Sequence, residues 1–417
     1  MKITNKIINN VPVTFIKTKK FKSIVGALYF KCPVTKEKMT TRKLLGSVLI
    51  DSCKKYETSE KLTLNCLQNY DAYYSSNACR IGNYFYNIFK FETLEDEYTE
   101  DGNLEKVIDT FCEIVFNPNV ESDEFNKESF DIKVKRLKQS YERTTENQRA
   151  YAERRILKHL NKNKAYSYDF DIDILNSISQ SSLYKEYKDM INNSSVSLII
   201  VGNVDENDTL YEKITNKIKL NVNYDLELYI SNDDEKQEEK IKRDVSNGTQ
   251  NVLQIVCFLK NMSNYELNYV MPIYSNILGG GATSRLFNSV REENSLAYYC
   301  FSRYEKDDNI LQIITGIEKE NFQKAVDIIK KELKNMDKIT DEEIQMSKKE
   351  LSSSLIESQD NIFNVMGRKH NEQLFSLPNI DEFLDKLNKV KKEDVEKINK
   401  KIELSIIYFL QGSDNNG

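Results

Sequence analysis

Gly279-Gly280-Gly281-Ala282-Thr283-Ser284-Arg285-Leu286-Phe287, followed by Arg291-Glu292-Glu293-Asn294-Ser295-Leu296-Ala297-Tyr298, is the stretch whose reading decides this fold. Asn264 to Leu278 has a helical pattern, so the glycines end a helix instead of following a strand. A nucleotide loop needs strand, glycine loop and helix in that order, and a P-loop needs Gly-Lys-Ser/Thr as well, so neither kind fits. The local reading is a C-cap and hinge, with Thr283 or Ser284 capping the next helix. Arg291 and Tyr298 stand out because a guanidinium fork and a phenol are donors able to hold a carbonyl or a developing oxyanion. The plainer reading pairs Arg291 with Glu292 or Glu293 and packs Tyr298 at a strand start.

Outward from that stretch, the chain looks duplicated. Val196-Ser197-Leu198-Ile199-Ile200-Val201-Gly202-Asn203-Val204-Asp205 reads as a buried strand ending in a glycine turn, and Leu404-Ser405-Ile406-Ile407-Tyr408-Phe409-Leu410-Gln411-Gly412-Ser413-Asp414 repeats the form. Each follows a charged helical segment, Leu183 to Ile191 and Lys392 to Lys400. Each half opens on strand-rich sequence, Val11 to Lys31 and Asn251 to Lys260. Between them the apolar-poor run from Ile230 to Lys240 reads as a solvated linker. The expected organisation is therefore a domain over 1–225, a linker over 226–245 and a second domain over 246–417. Glu124 to Asn161 is helical, with its break expected between Tyr141 and Gln148.

Composition narrows the classes. At 417 residues, with 39% hydrophobic content, the chain can bury two cores. Acidic and basic residues interleave to a net charge of -5, which leaves no nucleic-acid footprint. No apolar run is long enough for a signal peptide or a membrane span, so a membrane partner is not expected. Seven scattered cysteines without a C-x-x-C pair read as free thiols of a reducing compartment, which points to the cytoplasm. No G-x-S-x-G or cysteine-protease motif accompanies the two histidines. Of these, His159 sits on a charged helix and is expected to face solvent.

A glycine run, Ser284-Arg285-Leu286-Phe287, then Arg291-Glu292-x-x-x-Leu296-Ala297-Tyr298 resembles the C-terminal signature of the pitrilysin/insulinase metallopeptidases. Asn294-Ser295 departs from the more usual glycine there, and Tyr299 offers a second tyrosine should the register differ by one. The resemblance implies an α+β fold, two homologous α/β-roll domains of the insulinase-like type arranged as a clamshell. It covers nearly the whole chain, with the specific motif in the second half. In relatives that cut peptides, His-x-x-Glu-His on one helical face binds zinc, the glutamate activating its water, and a later glutamate completes the ligands. Here Ser52 to Leu62 is similar to the segment just downstream of that motif. Reading back from it puts Lys43, Gly46 and Ser47 at the His, Glu and His positions, on a helix kept apolar by Leu44, Leu45, Val48 and Leu49. No histidine precedes His159. Lys133, Lys135 and Arg136 crowd the distal ligand segment and would repel a cation.

The resemblance therefore implies a chain that binds no metal and has no independent activity expected of it. Some relatives work as unlike pairs, and this chain has the profile of the zinc-less partner, with Phe125, Lys135-x-Leu137-Lys138, Tyr151-Ala152-Glu153-Arg154-Arg155 and Tyr166-Ser167 similar to a paired bacterial type linked to the aminopentanol modification of elongation factor P. The partner would be a zinc-containing insulinase-like subunit and the substrate a short peptide. Arg291 and Tyr298 would assist the partner's zinc site, while Gly279, Gly280, Gly281, Ser284 and Arg285 would contact substrate. An edge strand around Gly26 to Phe30 would accept extended peptide by strand addition. The alternatives are a non-enzymatic scaffold or peptide-binding protein of the same fold, and a homodimer in place of the pair.

Overall fold

The computed structural model describes residues 1–206, 208–235 and 239–413. Lys236-Gln237-Glu238, inside the run read as a linker, and Asp414, at the close of the second repeated strand, lie outside the described residues. The first half runs β1 (Lys2–Ile8), β2 (Val11–Lys17), β3 (Ser23–Pro33), α1 (Lys36–Leu49), α2 (Ser59–Gln68), β4 (Tyr73–Ile81), β5 (Tyr84–Leu94) and α3 (Asn103–Phe116). A small hairpin, β6 (Val120–Glu121) with β7 (Glu124–Phe125), precedes α4 (Lys127–Glu146), α5 (Gln148–His159), α6 (Ile172–Ser177), α7 (Gln180–Asn193), β8 (Ser195–Gly202) and α8 (Asp208–Thr215). The second half runs β9 (Lys240–Ser246), β10 (Val252–Leu259), α9 (Met271–Gly279), β11 (Ala297–Glu305), β12 (Ile310–Ile317), α10 (Phe322–Asn335), α11 (Asp341–Ser358), α12 (Ile362–Leu374), α13 (Ile380–Asn388), α14 (Lys392–Ile398) and β13 (Ile402–Gly412).

The two sheets share one topology, which makes the duplication concrete. The first has the order β1-β2-β8-β3-β5-β4 and the second β11-β12-β10-β13-β9. Read from the other end, β9-β13-β10-β12-β11 matches β2-β8-β3-β5-β4 strand for strand. The one parallel pairing recurs as well, β2 with β8 and β9 with β13. Lys240–Ser246 is thus a strand of the second sheet, although it lies in the stretch read as a linker. Its mostly exposed, polar side chains hide it from an apolar-pattern reading.

Strand β3 is not an edge. It pairs with β8 on one side and β5 on the other, and Val25, Ala27, Leu28 and Phe30 are wholly buried. An apolar run buried on both faces belongs in the middle of a sheet. The free edges of the first sheet are β1 and β4.

Two units emerge, and each borrows a segment from the other half of the chain. The first comprises Met1–Ser140, Tyr168–Leu228 and Gln359–Phe375; the second comprises Tyr141–Ser167, Tyr229–Ser358 and Ser376–Gly417. Within the first unit, α12 lays Ile362, Val365 and Met366 over Val25, Ala27, Ile199 and Val201 of the sheet. Within the second, α5 covers the matching face, where Ala152 and Ile156 are fully buried. The break before α5 falls at Asn147, inside the expected interval, and the Asn147 side chain caps the helix by accepting from the Ala150 N–H at 3.0 Å.

Candidate functional site

Helix α9 leads into the glycine run, and packing explains the first glycine. A Cβ on Gly279 would stand 2.4 Å from the Ser302 backbone nitrogen on β11, so only glycine lets helix and strand approach this closely. Ser275 and Ser302 fasten the same contact, the Ser302 hydroxyl donating to the Ser275 carbonyl at 2.7 Å. Gly280 sits at φ −83°, so the helix ends without the left-handed residue a glycine C-cap would use. Gly281 faces open space, its nearest neighbour the Glu350 carboxylate at 4.0 Å. Ser284 is buried and turns its hydroxyl back to the Gly281 carbonyl at 2.6 Å instead of capping forward.

Arg285 has a structural task. Its guanidinium forks onto the Glu343 carboxylate and donates to the Asn335 and Lys338 carbonyls at 2.7 and 2.8 Å. Four of its five N–H groups are engaged inside the unit by these bonds and the Nε contact to Glu343. The expected role of Arg285 in holding substrate finds no free donor fork here; the residue ties the glycine loop to α11. Glu343 beside it is held below the usual carboxylate range, burial being outweighed by the hydrogen bonds from Arg285 and Thr340.

Arg291 and Tyr298 are placed differently. A π-helical turn over Phe287–Glu292 carries Arg291 at its end, stacked 4.7 Å over the Phe287 ring. The chain then reverses through Ser295, at φ 50°, with its N–H bonded to the Arg291 carbonyl at 2.9 Å. Strand β11 follows, and an irregular register between Ala297 and Cys300 aims Tyr298 outward. Tyr298 is 85% exposed and its ring lies 5.8 Å from the Arg291 guanidinium. The Arg291 side chain has one ion-pair contact, Glu292 at 3.5 Å. Tyr299 points the other way, its ring against Gly316 and beneath Arg149. Beside Tyr298 a cleft of about 360 Å³ is lined by Gln250, Asn251, Ser295, Glu318 and Asn321. Such a site can donate hydrogen bonds to a peptide carbonyl. Among the described residues that line it, no nucleophile is hydrogen-bonded to a base.

In the first unit, α1 starts at Thr35, whose hydroxyl caps Lys38 N–H at 3.2 Å, and Leu44, Leu45, Val48 and Leu49 bury its inner face. The three positions expected to stand in for the zinc motif have other occupations. Lys43 rests its ammonium over the Phe170 ring at 5.6 Å, and Ser47 bonds to the Leu44 carbonyl at 2.7 Å. A Cβ on Gly46 would meet the Ser76 hydroxyl on β4 at 2.3 Å, so the helix packs closely on the sheet at this position. One turn on, Asp51 pairs with Lys133 of α4 at 2.6 Å, both nearly buried, and accepts from Ser129 at 2.7 Å. A cation on α4 thus neutralises this carboxylate. Among the described residues no cluster of three or more His, Cys, Asp or Glu side chains could hold a metal ion.

The histidines are both structural neighbours of aromatic rings. His159 is three-quarters buried, not solvent-facing, with Nε2 3.2 Å from Asp244 and its ring against Tyr408. Among the described residues no helix is long and apolar enough to cross a membrane.

Comparison with known proteins agrees with this geometry. Residues 177–351 match the family model described as the Peptidase M16 inactive domain. A Bacillus subtilis protein described as a probable inactive metalloprotease, YmfF, is 28% identical over 96% of this chain and 95% of its own length. A second Bacillus subtilis protein, the uncharacterized zinc protease YmxG, is 31% identical over 31% of this chain and 34% of its own. A crystal structure of a conserved protein from Enterococcus faecalis V583 superposes at a TM-score of 0.91 over all of both chains, at 23% identity. None of these is described by a role in elongation factor P modification, and that expectation gains no support from them.

Proposed function

We propose, from the premise that this chain is M16-like in sequence and fold and lacks the zinc motif, that it is the non-catalytic subunit of a paired zinc endopeptidase. The observation that carries the reading is the contrast between Arg285, which is engaged internally, and the Arg291–Tyr298 pair, which stands at the surface with no side-chain hydrogen bond among the described residues. Tyr298 is left exposed beside the part-exposed Arg291. Two such donors are what a carbonyl under attack at a partner's metal would need. The partner would hold the zinc, and its substrate would be a short peptide. Likeness to a zinc protease over part of the chain supports a zinc-bearing relative as that partner.

The free edge of β4 supports peptide binding, in place of β3. It lies against α1 at Gly46 and Ser76, beside the lost metal site, and its main chain is open on one side for strand addition. Seven cysteines with no disulfide among the described residues suit a reducing cytoplasm for the pair.

The test is peptide cleavage by this chain reconstituted with a zinc-bearing relative. Arg291→Ala should lower kcat/KM by about 10²-fold or more, as loss of an oxyanion donor does, and Tyr298→Phe by a smaller factor. Tyr299→Phe should leave it unchanged. Cleavage unaffected by Arg291→Ala combined with Tyr298→Phe would remove the assisting role and leave peptide binding without catalysis.

A further inference from the structure

The two sheets match strand for strand except at one edge. In the first, β2 carries β1 antiparallel along its outer side, from Lys2 opposite Lys17 to Ile8 opposite Val11. Its counterpart in the second sheet, β9, pairs with β13 on one side and, among the described residues, with no strand on the other. Counted from Gly202 and Gly412, Val245 stands where Ile16 stands in the first sheet. Ile16 lies opposite Ile3 of β1 and is 2% exposed, whereas Val245 is 73% exposed and Ile241, on the same face, 53%.

An open edge leaves main-chain N–H and C=O groups for another strand to take up, and lysines usually keep such edges apart. Lys240 and Lys242 lie on this edge, so the residues set opposite them decide the outcome. Odd positions of β9 share the helix-covered face, since Arg243 lies over the Phe322 ring of α10 at 4.7 Å. Even positions share the other face, where Asp244 meets Arg155 of α5. A twofold axis perpendicular to the sheet keeps each face on its own side, so it pairs odd with odd and even with even. Centring the pair on Lys242 or on Asp244 sets that residue against its own copy and leaves Ile241 or Val245 opposite Arg243. Centring it on Arg243 engages all seven residues: Ile241 faces Val245 twice, Lys242 faces Asp244 twice, and Lys240 faces Ser246. Lys242 has no ion-pair partner among the described residues, and Asp244 uses Oδ2 alone for its bonds within the chain. The one like pair in this register is Arg243 with itself, and each guanidinium is already turned over its own Phe322 ring.

We propose that β9 is a self-pairing edge: a second copy of this chain adds its own β9 antiparallel, in the register centred on Arg243. Two five-stranded sheets thereby become one continuous sheet. The lysines, which would repel most strands, here select a strand with an acid at the matching position. Strand β11, which carries Tyr298, is the opposite edge of the same sheet. The contact therefore stands independently of any role of Tyr298 in peptide cleavage.

Sedimentation equilibrium on the purified full-length chain, from micromolar to submillimolar concentration, reads the association. A single strand pair is a small interface, so a reversible dimer of micromolar affinity is expected. Two double variants test the register: Ile241→Lys with Val245→Lys, and Ile241→Glu with Val245→Glu. Both positions are exposed, so thermal unfolding of each variant at low concentration should match the parent chain. Each variant alone should associate about tenfold more weakly or worse, because like charges then face each other twice. Mixed in equal amounts the two should recover the dimer, since every lysine meets a glutamate. The proposal is overturned if the parent chain stays monomeric across that range, if either variant dimerises like the parent, or if their mixture stays monomeric. A monomeric parent whose variants lose association with a zinc-bearing relative would also overturn it, and would give this edge to that partner.

Discussion

Asp244 offers the sharpest test of how the borrowed helix α5 is held in the second unit. Its Oδ2 accepts from Arg155 through Nε at 3.0 Å and Nη2 at 2.9 Å, from the Tyr408 hydroxyl at 2.9 Å, and stands 3.2 Å from His159 Nε2. Arg155 and His159 are on α5, Asp244 on β9 and Tyr408 on β13, so one carboxylate joins three elements. Burial raises the Asp244 pKa, but the hydrogen bonds from Arg155, His159 and Tyr408 outweigh it and hold the group below the usual carboxylate range. Hydrogen bonds to a charged group contribute about 1.5–3 kcal/mol each, and removing one partner of a buried pair costs about 3–5 kcal/mol. The Asp244 side chain keeps 23% exposure, which moves the figure down. Asp244→Ala should therefore lose about 2–4 kcal/mol in urea unfolding at pH 7. Because the folded pKa is depressed, that contribution is present above the unfolded carboxylate pKa and is lost as pH falls through the folded value, so the difference from the parent chain should shrink in acid. Hydrogen exchange should quicken across Gln148–His159 while β3 keeps its protection. Arg155→Ala and Asp244→Ala should be non-additive by about 1–2 kcal/mol. A change under about 0.5 kcal/mol with unaltered exchange in α5 would refute the reasoning, since it is what an ordinary surface substitution gives.

Other outcomes follow from single contacts. Gly279→Ala should cost about 1–3 kcal/mol because its Cβ meets backbone on β11, whereas Gly281→Ala, in open space, should be neutral or stabilise by up to about 1 kcal/mol; equal effects in thermal unfolding would contradict the packing account. His370 is held neutral in the fold and protonates when unfolded, so stability should be complete above about pH 6.5 and fall by roughly 3 kcal/mol towards pH 4. His370→Gln should flatten that slope in denaturant titrations across the same window, and an unchanged slope would show that another group sets it.

The repeated strands, the helical break before α5 and the glycine-ended helix were legible because each depends on local pattern: apolar runs of strand length, a capping asparagine, a helical stripe. Strand β3 was expected at an edge, although Ile24-Val25-Gly26-Ala27-Leu28-Tyr29-Phe30 has no polar alternation, the mark of a strand buried on both faces. Strand β9 was not, because Lys240-Ile241-Lys242-Arg243-Asp244 owes its pairing to a partner strand far away in sequence and not to its own propensity. The engagement of Arg285 and the freedom of Arg291 could not be told apart from residue types six positions apart. The difference lies in Glu343 and two carbonyls brought in by α11 and the residues before it.

The most direct test of the paired-subunit account is peptidase activity and bound zinc, measured on this chain alone, on a relative that carries the zinc motif, and on the two mixed. The account predicts zinc only in the relative and efficient cleavage only in the mixture. Zinc-dependent cleavage by this chain alone, or full activity of the relative without it, would contradict it.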